Sequence, residues 1–131
     1  METGVRRMDT TQFNEIMPET DERVICIRVD KPISGEGYKT QFLPLVQKMA
    51  ADHGEIRMVL LFEKFLGWEE EAAMADLAST LFLARHLKKL AIVNLPEKMV
   101  QYVGMRQAAL KTDLRIFNTD QFQDALAWAR I

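Results

Sequence analysis

The sequence predicts a single α/β domain with five strands and about four helices, in the order β-β-α-β-α-β-α-β-α. Short runs rich in Val and Ile alternate with segments of roughly ten to twenty residues whose apolar positions recur at helical spacing. Because parallel strands need a crossover connection, this alternation is typical of a mostly parallel sheet covered by helices. The chain of 131 residues has the length of one domain, and we find no internal repeat and no linker in it.

The N-terminal part predicts a polar tail followed by two strands. Residues 1–11 are polar and are expected to form a flexible tail, so the folded domain is expected to span residues 12–131. Residues 12–17 alternate weakly and predict the first strand. Residues 23–30 (RVICIRVD) predict the second, because Val and Ile favour strands. The single cysteine, Cys26, lies in this run, so it cannot form an intramolecular disulfide and is expected to pack as a small hydrophobic residue.

A first helix is predicted over residues 35–52, with Ser34 as its N-cap. Pro44 lacks the N–H that would bond Thr40, so we expect a kink or a break there. Gly54 follows the predicted helix and suits a left-handed C-terminal cap. The apolar residues at helical spacing share one face: they are Tyr38, Phe42, Leu45, Val46 and Met49.

The second half of the chain continues the alternation. Residues 55–62 predict a central strand, because residues 58–62 are apolar on both faces. The remaining predicted elements are a helix over residues 68–87, a strand over 89–95, a helix that begins at Pro96, a strand over 113–117 and a helix capped by Thr119.

The predicted helix over residues 68–87 is apolar on two faces. Projected at 100° per residue, it carries a core stripe on one side, formed by Ala73, Leu77, Leu81 and Ala84. A solvated face would carry Lys, Glu or Gln on the other side, which instead holds Ala72, Ala75, Ser79, Phe82 and His86.

The segment before this helix is also unusually apolar for a loop, since loops run over the wet surface. Together, the loop and the second face of the helix predict one apolar interaction surface. Its candidate ligand-binding residues are Phe65, Leu66, Trp68, Ala75, Ser79 and Phe82. The alternative is ordinary core packing, with Phe82 under a neighbouring helix.

No motif in the sequence is typical of catalysis or of a metal site, and we expect neither an enzyme nor a cofactor. His53 and His86 have no metal-ligand spacing, and Gly35-Glu36-Gly37 lacks the third glycine of a dinucleotide site. In parallel sheets, ligands bind where the strands end. The polar residues there are expected to be solvated: Asp30, Lys31, Glu63, Lys64, Asn94 and Asn118.

The charge balance, 17 Lys and Arg against 19 Asp and Glu, argues against nucleic acid as a partner. No apolar run approaches the roughly 18 residues that span a bilayer, and the N-terminus lacks the apolar core of a signal peptide. We therefore expect a cytoplasmic protein that associates with membranes at most peripherally. The expected partners are a small apolar molecule or lipid, a membrane surface, or a second copy in a homodimer.

Several stretches together resemble the SpoIIAA-like proteins of STAS type. The resemblance covers about residues 13–130. The stretches that carry it are residues 60–68 (LLFEKFLGW) with the following helix, residues 86–93 (HLKKLAIV), Phe117 with residues 125–128, and residues 38–45 with Pro44. The resemblance implies a mixed sheet wrapped by four helices. It also implies binding of apolar ligands or association with membranes.

The leading hypothesis is therefore a non-catalytic binding module in which the second helix and its preceding loop act as a lid. The alternative is a STAS-type protein–protein regulator that acts through a helix face. Anti-sigma-factor antagonists of this type carry a phosphorylatable Ser or Thr in the loop before the second helix. Residues 63–71 contain neither, so a phosphorylation switch is not expected.

Overall fold

The sheet of this protein has five strands and is mixed, as predicted. A computed structural model describes residues 14–63, 74–76, 78–110 and 112–131; the predicted tail, residues 1–11, lies outside these ranges. The strands, in the order in which they lie in the sheet, are β1 (Glu15–Ile16), β2 (Ile25–Val29), β3 (Ile56–Phe62), β4 (Leu87–Val93) and β5 (Asp113–Phe117).

Strand β1 is antiparallel to β2, and the other neighbours are parallel. One row of paired residues crosses the sheet from Ile27 through Leu60 and Ile92 to Ile116. Because successive side chains of a strand point to opposite faces, these residues mark one face of the sheet. Their neighbours in sequence mark the other face.

Four helices accompany the strands in the part of the chain that the structure describes. Helix α1 is α-helical over Gly35–Gly37, π-helical over Tyr38–Phe42 and α-helical over Leu43–His53, and it is followed by α2 (Thr80–His86), α3 (Val100–Leu110) and α4 (Phe122–Arg130). Short 3₁₀ turns precede α3 and α4, over Glu97–Met99 and Thr119–Gln121.

Helix α1 changes its hydrogen-bond pattern near Pro44 and does not break there. The Leu43 amide donates to the carbonyl oxygen of Tyr38, five residues earlier. An α-turn would bring the proline ring against the carbonyl group of Thr40, and a wider π-turn relieves this contact. The expected interruption is therefore a π-turn inside a continuous helix.

Both predicted ends of α1 are confirmed. The Ser34 hydroxyl accepts from the Gly37 amide at 3.0 Å. Gly54 has a φ of 78° and its amide donates to the carbonyl oxygen of Ala50, as in a left-handed cap.

Several boundaries differ from the prediction by a few residues, and two of them have a clear structural reason. Strand β4 begins at Leu87, which the apolar pattern had placed in the preceding helix. The cap before α4 is Asn118 and not Thr119, because the Asn118 side chain accepts from the amide of Gln121 while the Gln121 side chain accepts from the Asn118 amide.

The two faces of the sheet carry separate cores. Helices α1, α2 and α3 pack on the face that contains Ile27 and Ile92. Helix α4 packs on the opposite face, where Ala125 and Trp128 meet Cys26 and Val59. Cys26 is a free thiol with 0% exposure, as the sequence predicts, and burial raises its pKa to about 12.

The C-terminal end of α4 is held by three cationic side chains. Lys89 donates to the carbonyl oxygen of Trp128 at 3.1 Å, and Arg57 donates to that of Ala129 at 2.9 Å. Arg23 donates to the carbonyl oxygen of Arg130 at 3.3 Å. The last carbonyl groups of a helix lack partners within the helix, and cations near them are favourable. These contacts fix α4 on its face of the sheet and leave the other face to the remaining helices.

Candidate functional site

A cavity of about 130 Å³ lies between the sheet and helices α1, α2 and α3. Its floor is formed by alternate residues of the strands, which share the face marked by Ile27 and Ile92. The helices add apolar and aromatic side chains from above. The described residues that line it are Ile27, Val29, Ile33, Tyr38, Phe42, Met58, Leu60, Phe62, Asp76, Leu83, Leu87, Leu90, Ile92, Met99, Tyr102, Val103, Gln107, Thr112 and Leu114.

Among the described residues, one carboxyl group lines this cavity. Asp76 belongs to the helical segment 74–76 before α2, and it is 8% exposed. The Tyr38 hydroxyl donates to Asp76 Oδ1 at 2.5 Å, and the Tyr102 hydroxyl donates to Oδ2. Asp76 therefore joins three helical segments: α1, α3 and the segment that leads into α2.

The hydrogen bonds explain how a carboxyl group is tolerated in this place. A carboxylate removed from water is costly unless donors compensate it. Hydrogen bonds in which one partner is ionised are shorter and stronger than neutral ones. A phenol hydroxyl at each oxygen of Asp76 supplies such donors.

Aromatic rings lie beside this polar group. The rings of Tyr38 and Phe42 are 4.9 Å apart and both residues line the cavity. They stand at the two ends of the π-helical turn Tyr38–Phe42. The turn thus presents one phenol hydroxyl and two aromatic rings to the same cavity.

The cavity reaches the surface beside α3. Gln107 is exposed and is also one of the lining residues. Nearby, the Thr112 hydroxyl donates to the carbonyl oxygen of Leu87 at 3.0 Å, which ties the start of β5 to that of β4. Gln107 therefore marks an exposed edge of the cavity on α3.

Of the six predicted ligand-binding residues, Ala75, Ser79 and Phe82 are described. Ala75 and Phe82 pack against the same core cluster that surrounds the cavity. Ser79 lies between them, and its hydroxyl donates to the carbonyl oxygen of Ala75 at 2.9 Å. Their neighbours Asp76 and Leu83 line the cavity itself. Phe65, Leu66 and Trp68 lie outside the described residues.

A turn at Ser79 changes the phase of the projected helix. Ser79 has a ψ of 2° and precedes α2, so the segment 74–76 and α2 are not one regular helix. A projection at a constant 100° per residue loses its meaning across such a turn. Phe82, placed on the outer side by the projection, is half-buried and contacts the core.

The sequence patterns did not identify Asp76, Tyr38 and Tyr102 as a group of contacting residues. A signal was present, because Asp76 is the only acidic residue between Ala72 and Leu87. Moreover, the chain has two tyrosines, and both donate to it. Nothing in the spacing indicates that these residues meet.

The polar residues at the strand ends make local contacts where the structure describes them, some with backbone groups and some with side chains. The Asn94 side chain donates to the carbonyl oxygen of Phe62 at 2.7 Å, and Asn118 caps a helix. Arg28 lies 3.8 Å from the exposed carboxylate of Glu63. The amides of Asp30 and Lys31 donate to the side chain of Asn14. Lys64 lies outside the described ranges.

The described ranges contain no group of three or more His, Cys, Asp or Glu side chains placed to hold a metal ion. No helix within them has the length and apolar character needed to cross a membrane.

Comparison with known proteins agrees with this architecture. A family model described as SpoIIAA-like matches residues 24–130. The fold is similar to the crystal structure of an uncharacterized protein of the DUF3478 family, with a SpoIIAA-like fold, from Shewanella loihica PV-4. That likeness has a TM-score of 0.63 and 22% sequence identity, and it covers 81% of this chain and 83% of the other. No curated protein matches the chain.

Proposed function

Since this chain belongs to the SpoIIAA-like family, we propose that it is a non-catalytic module that binds a small apolar molecule in the cavity under its helices. The observation that carries this proposal is the cavity of about 130 Å³ between the sheet and helices α1, α2 and α3. Binding sites for small molecules are concave, mostly apolar and equipped with a few polar groups. Asp76 and its two tyrosines are such groups in this cavity.

The size of the cavity supports binding over simple packing. Protein interiors contain few voids larger than a water molecule. Because the protein's own described side chains do not fill the cavity of about 130 Å³, those that line it lose part of their dispersion energy. An apolar guest recovers part of this energy.

The same volume limits the guest. A cavity of about 150 Å³ in another protein holds one benzene molecule. The present cavity therefore suits a single ring or a short chain, with any further part of the ligand at the opening beside Gln107. This supports a small molecule over a complete lipid with long chains.

Toluene is the simplest probe for this proposal, because it is a single ring with one methyl group and carries no charge. Met58 and Met99 line the cavity, whereas Met17 packs in the core on the opposite face of the sheet. In a titration followed by NMR of the methionine methyl groups, we expect saturable shifts at Met58 and Met99. The Met17 signal is the internal control and should not move. An absence of saturable shifts at the two cavity methionines contradicts the proposal.

A pair of matched variants separates binding in the cavity from general hydrophobic contact. Leu60 and Leu61 are adjacent, half-buried residues of β3 that point to opposite faces of the sheet. Leu60→Phe places a larger side chain in the cavity, so the affinity for toluene should fall at least about tenfold. Leu61→Phe makes the same change on the other face and should leave the affinity near that of the parent.

The regulator alternative receives less support from the observations. It requires a free apolar face on the second helix, and the described residues Ala75 and Phe82 of that face pack against the core. Native mass spectrometry tests it directly, because a homodimer and a bound small molecule change the measured mass differently.

A further inference from the structure

The outer edge of β5 is open along its length in the part of the chain that the structure describes. There, β5 is the last strand of the sheet and pairs with β4 alone. The strand at the opposite edge, β1, has two residues, whereas β5 has five. An exposed strand edge is a template for pairing with another strand, and proteins commonly keep such edges short or covered. The edge of β5 is therefore the stronger candidate for an interaction surface.

The pairing of β5 with β4 shows which of its backbone groups face outward. The carbonyl oxygen of Phe117 accepts from the Asn94 amide at 2.9 Å, so it points toward β4. The N–H and C=O groups of successive residues in a strand point to alternate sides. Arg115 therefore also bonds toward β4, and Leu114 and Ile116 direct their N–H and C=O groups away from the sheet.

Two charges of opposite sign lie on one face of this edge. Asp113 and Arg115 are both exposed and are two residues apart, so their side chains share the face covered by α4, where Ala91 is the neighbour of Arg115 in β4. The guanidinium carbon of Arg115 lies 5.1 Å from the centroid of the Trp128 ring, which holds this side chain beside the edge. Within the described ranges, neither charged side chain takes part in an ion pair.

These charges distinguish the ways in which a second β5 can pair with the first. When two identical antiparallel strands meet about a two-fold axis, the residue at the axis lies opposite its own copy. With the axis at Arg115, two guanidinium groups face each other, and like charges directly opposite are destabilising. With the axis at Ile116, Arg115 lies opposite Phe117 and meets no charge. With the axis at Leu114, each Asp113 lies opposite an Arg115.

The backbone favours the same axis. With the axis at Leu114, the outward N–H and C=O groups of Leu114 bond those of its copy. The flanking pairs of Asp113 and Arg115 then occupy the non-hydrogen-bonded positions, where opposite side chains come closest. Opposite charges in such pairs stabilise a sheet.

Exposed apolar side chains lie beside this edge as well. Helix α3 and β5 are neighbours, since Val103 and Leu114 line the same cavity. Val100 and Met105 of α3 and Ile116 of β5 are each more than half exposed. A two-fold axis perpendicular to the sheet keeps the cavity faces of both copies on the same side, so it brings α3 toward α3 of the other copy. Burial of apolar area between the copies then adds to the strand pairing.

We propose that two copies of this chain form a homodimer by antiparallel pairing of β5, with Leu114 at the two-fold axis and Asp113 paired with the partner's Arg115 on each side of it. The partner is a second copy because the charge pattern of β5 is complementary to itself. One sheet continues through both copies, and α2 takes no part in the pairing. The inference is independent of the proposed function, since it concerns the edge of the sheet.

Two charge variants and their mixture test this inference by native mass spectrometry. Asp113→Arg gives each copy two positive side chains at the edge, and Arg115→Asp gives each copy two negative ones. In either variant like charges lie opposite each other, so the Kd of the homodimer should rise at least about tenfold. A mixture of the two variants restores opposite charges on both sides of the axis, and a heterodimer should form with an affinity near that of the parent.

Asp124→Arg is the matched control, because it makes the same charge change at an exposed position of α4. It should leave the dimer intact, and circular dichroism shows whether each variant is folded. A parent protein that stays monomeric at several hundred micromolar overturns the inference. Charge variants that dimerise as well as the parent also overturn it, because the dimer then uses another surface, such as α2. Variants that fail to combine in the mixture exclude the proposed register.

Hydrogen exchange in the parent protein provides a test without any substitution. In the dimer the Leu114 amide donates to the other copy, so it should exchange more slowly in a concentrated sample than in a dilute one. The Arg115 amide bonds toward β4 within each copy and is the internal control, with a much smaller dependence on concentration. If the Leu114 amide exchanges at the same rate in both samples, the inference is wrong, whether or not the charge variants fold.

Discussion

The Tyr38 hydroxyl lies 2.5 Å from Oδ1 of Asp76, across 38 positions of the sequence. Tyr38 is the first residue of the π-turn in α1, and Asp76 belongs to the helical segment before α2. The bond therefore joins two of the elements that cover the cavity. It also places the aromatic ring of Tyr38 beside a carboxyl group.

Tyr38→Phe removes this hydroxyl and keeps the ring. A buried carboxyl group then loses a donor, so we expect a loss of about 1–3 kcal/mol in the free energy of unfolding. Urea unfolding followed by circular dichroism measures it. Tyr102→Phe removes the donor at the other oxygen of the same carboxyl group, so we expect a loss of similar size. Equal stability of Tyr38→Phe and the parent would show that the bond contributes nothing.

Arg57→Met tests how much the buried guanidinium group contributes to holding the C-terminal end of α4 on the sheet. Arg57 is 8% exposed, donates to the carbonyl oxygen of Ala129, and also bonds Glu55 at 2.7 Å. Since hydrogen bonds to charged groups contribute more than neutral ones, we expect the free energy of unfolding, measured in urea, to fall by about 1.5–3 kcal/mol.

Arg28→Met is the control for this change. Arg28 contacts Glu15 and Glu63 through partly exposed ion pairs at 3.4 and 3.8 Å. Such pairs are typically worth less than about 1 kcal/mol. A cost for Arg28→Met that matches that of Arg57→Met would contradict the special role of the buried guanidinium.

The Glu55 carboxyl group makes stability depend on pH in a defined direction. The hydrogen bond from Arg57 holds its pKa below the ordinary value of 4.5. A depressed pKa stabilises the folded state above the unfolded value, and this contribution is lost as the pH falls through the folded value.

We therefore expect Glu55→Gln to be less stable than the parent at pH 7, and the difference to disappear as the pH falls below about 4.5. It should stay under about 1 kcal/mol, because the carboxyl group is partly exposed and screened by water. Urea titrations of both proteins from pH 7 to about pH 3 give this comparison. A difference that grows on acidification has the wrong sign for this mechanism.

Asn94 is held in a left-handed backbone conformation, with a φ of 62°. Its side chain donates to the carbonyl oxygen of Phe62 at the end of β3. Asn94→Ala loses this bond and adds backbone strain, so we expect a cost of about 2–3 kcal/mol. Asn94→Gly loses the bond but accepts the conformation, and its stability should lie between that of the parent protein and that of Asn94→Ala. Thermal unfolding ranks the three proteins; a glycine variant that is less stable than the alanine variant would exclude backbone strain as the cause.

The fold was predictable because its elements follow from local patterns. Residues 113–117 form a strand with the expected bounds, and Gly54 ends α1 as its position suggests. The start of β4 was harder to predict, because Leu87 is apolar and fits either the end of a helix or the start of a buried strand. In the structure it belongs to the strand, and it pairs with Ile56.

The candidate site depends on contacts that no local pattern contains. Tyr38 and Tyr102 are 38 and 26 positions away from Asp76, and only the packing of three helical segments brings them together. The turn at Ser79 adds a second obstacle, because its hydroxyl bonds the carbonyl oxygen of Ala75 and the regular helical phase ends there. The predicted residues Ala75 and Phe82 pack beside the cavity, and their neighbours Asp76 and Leu83 line it.

The rate at which Cys26 is alkylated reports on the opening of the native protein. Its thiol lies on β2, on the face of the sheet covered by α4, and with a pKa of about 12 it is almost entirely protonated at neutral pH. Since the thiolate is the reactive form, an alkylating reagent reaches Cys26 only in molecules whose sheet and α4 have separated. The chain has no other cysteine, so the rate of labelling reports how often the native molecule opens. A guest that binds on the opposite face and stabilises the folded state would slow this labelling without contacting the thiol. The decrease in the labelling rate would then measure how much the guest stabilises the protein.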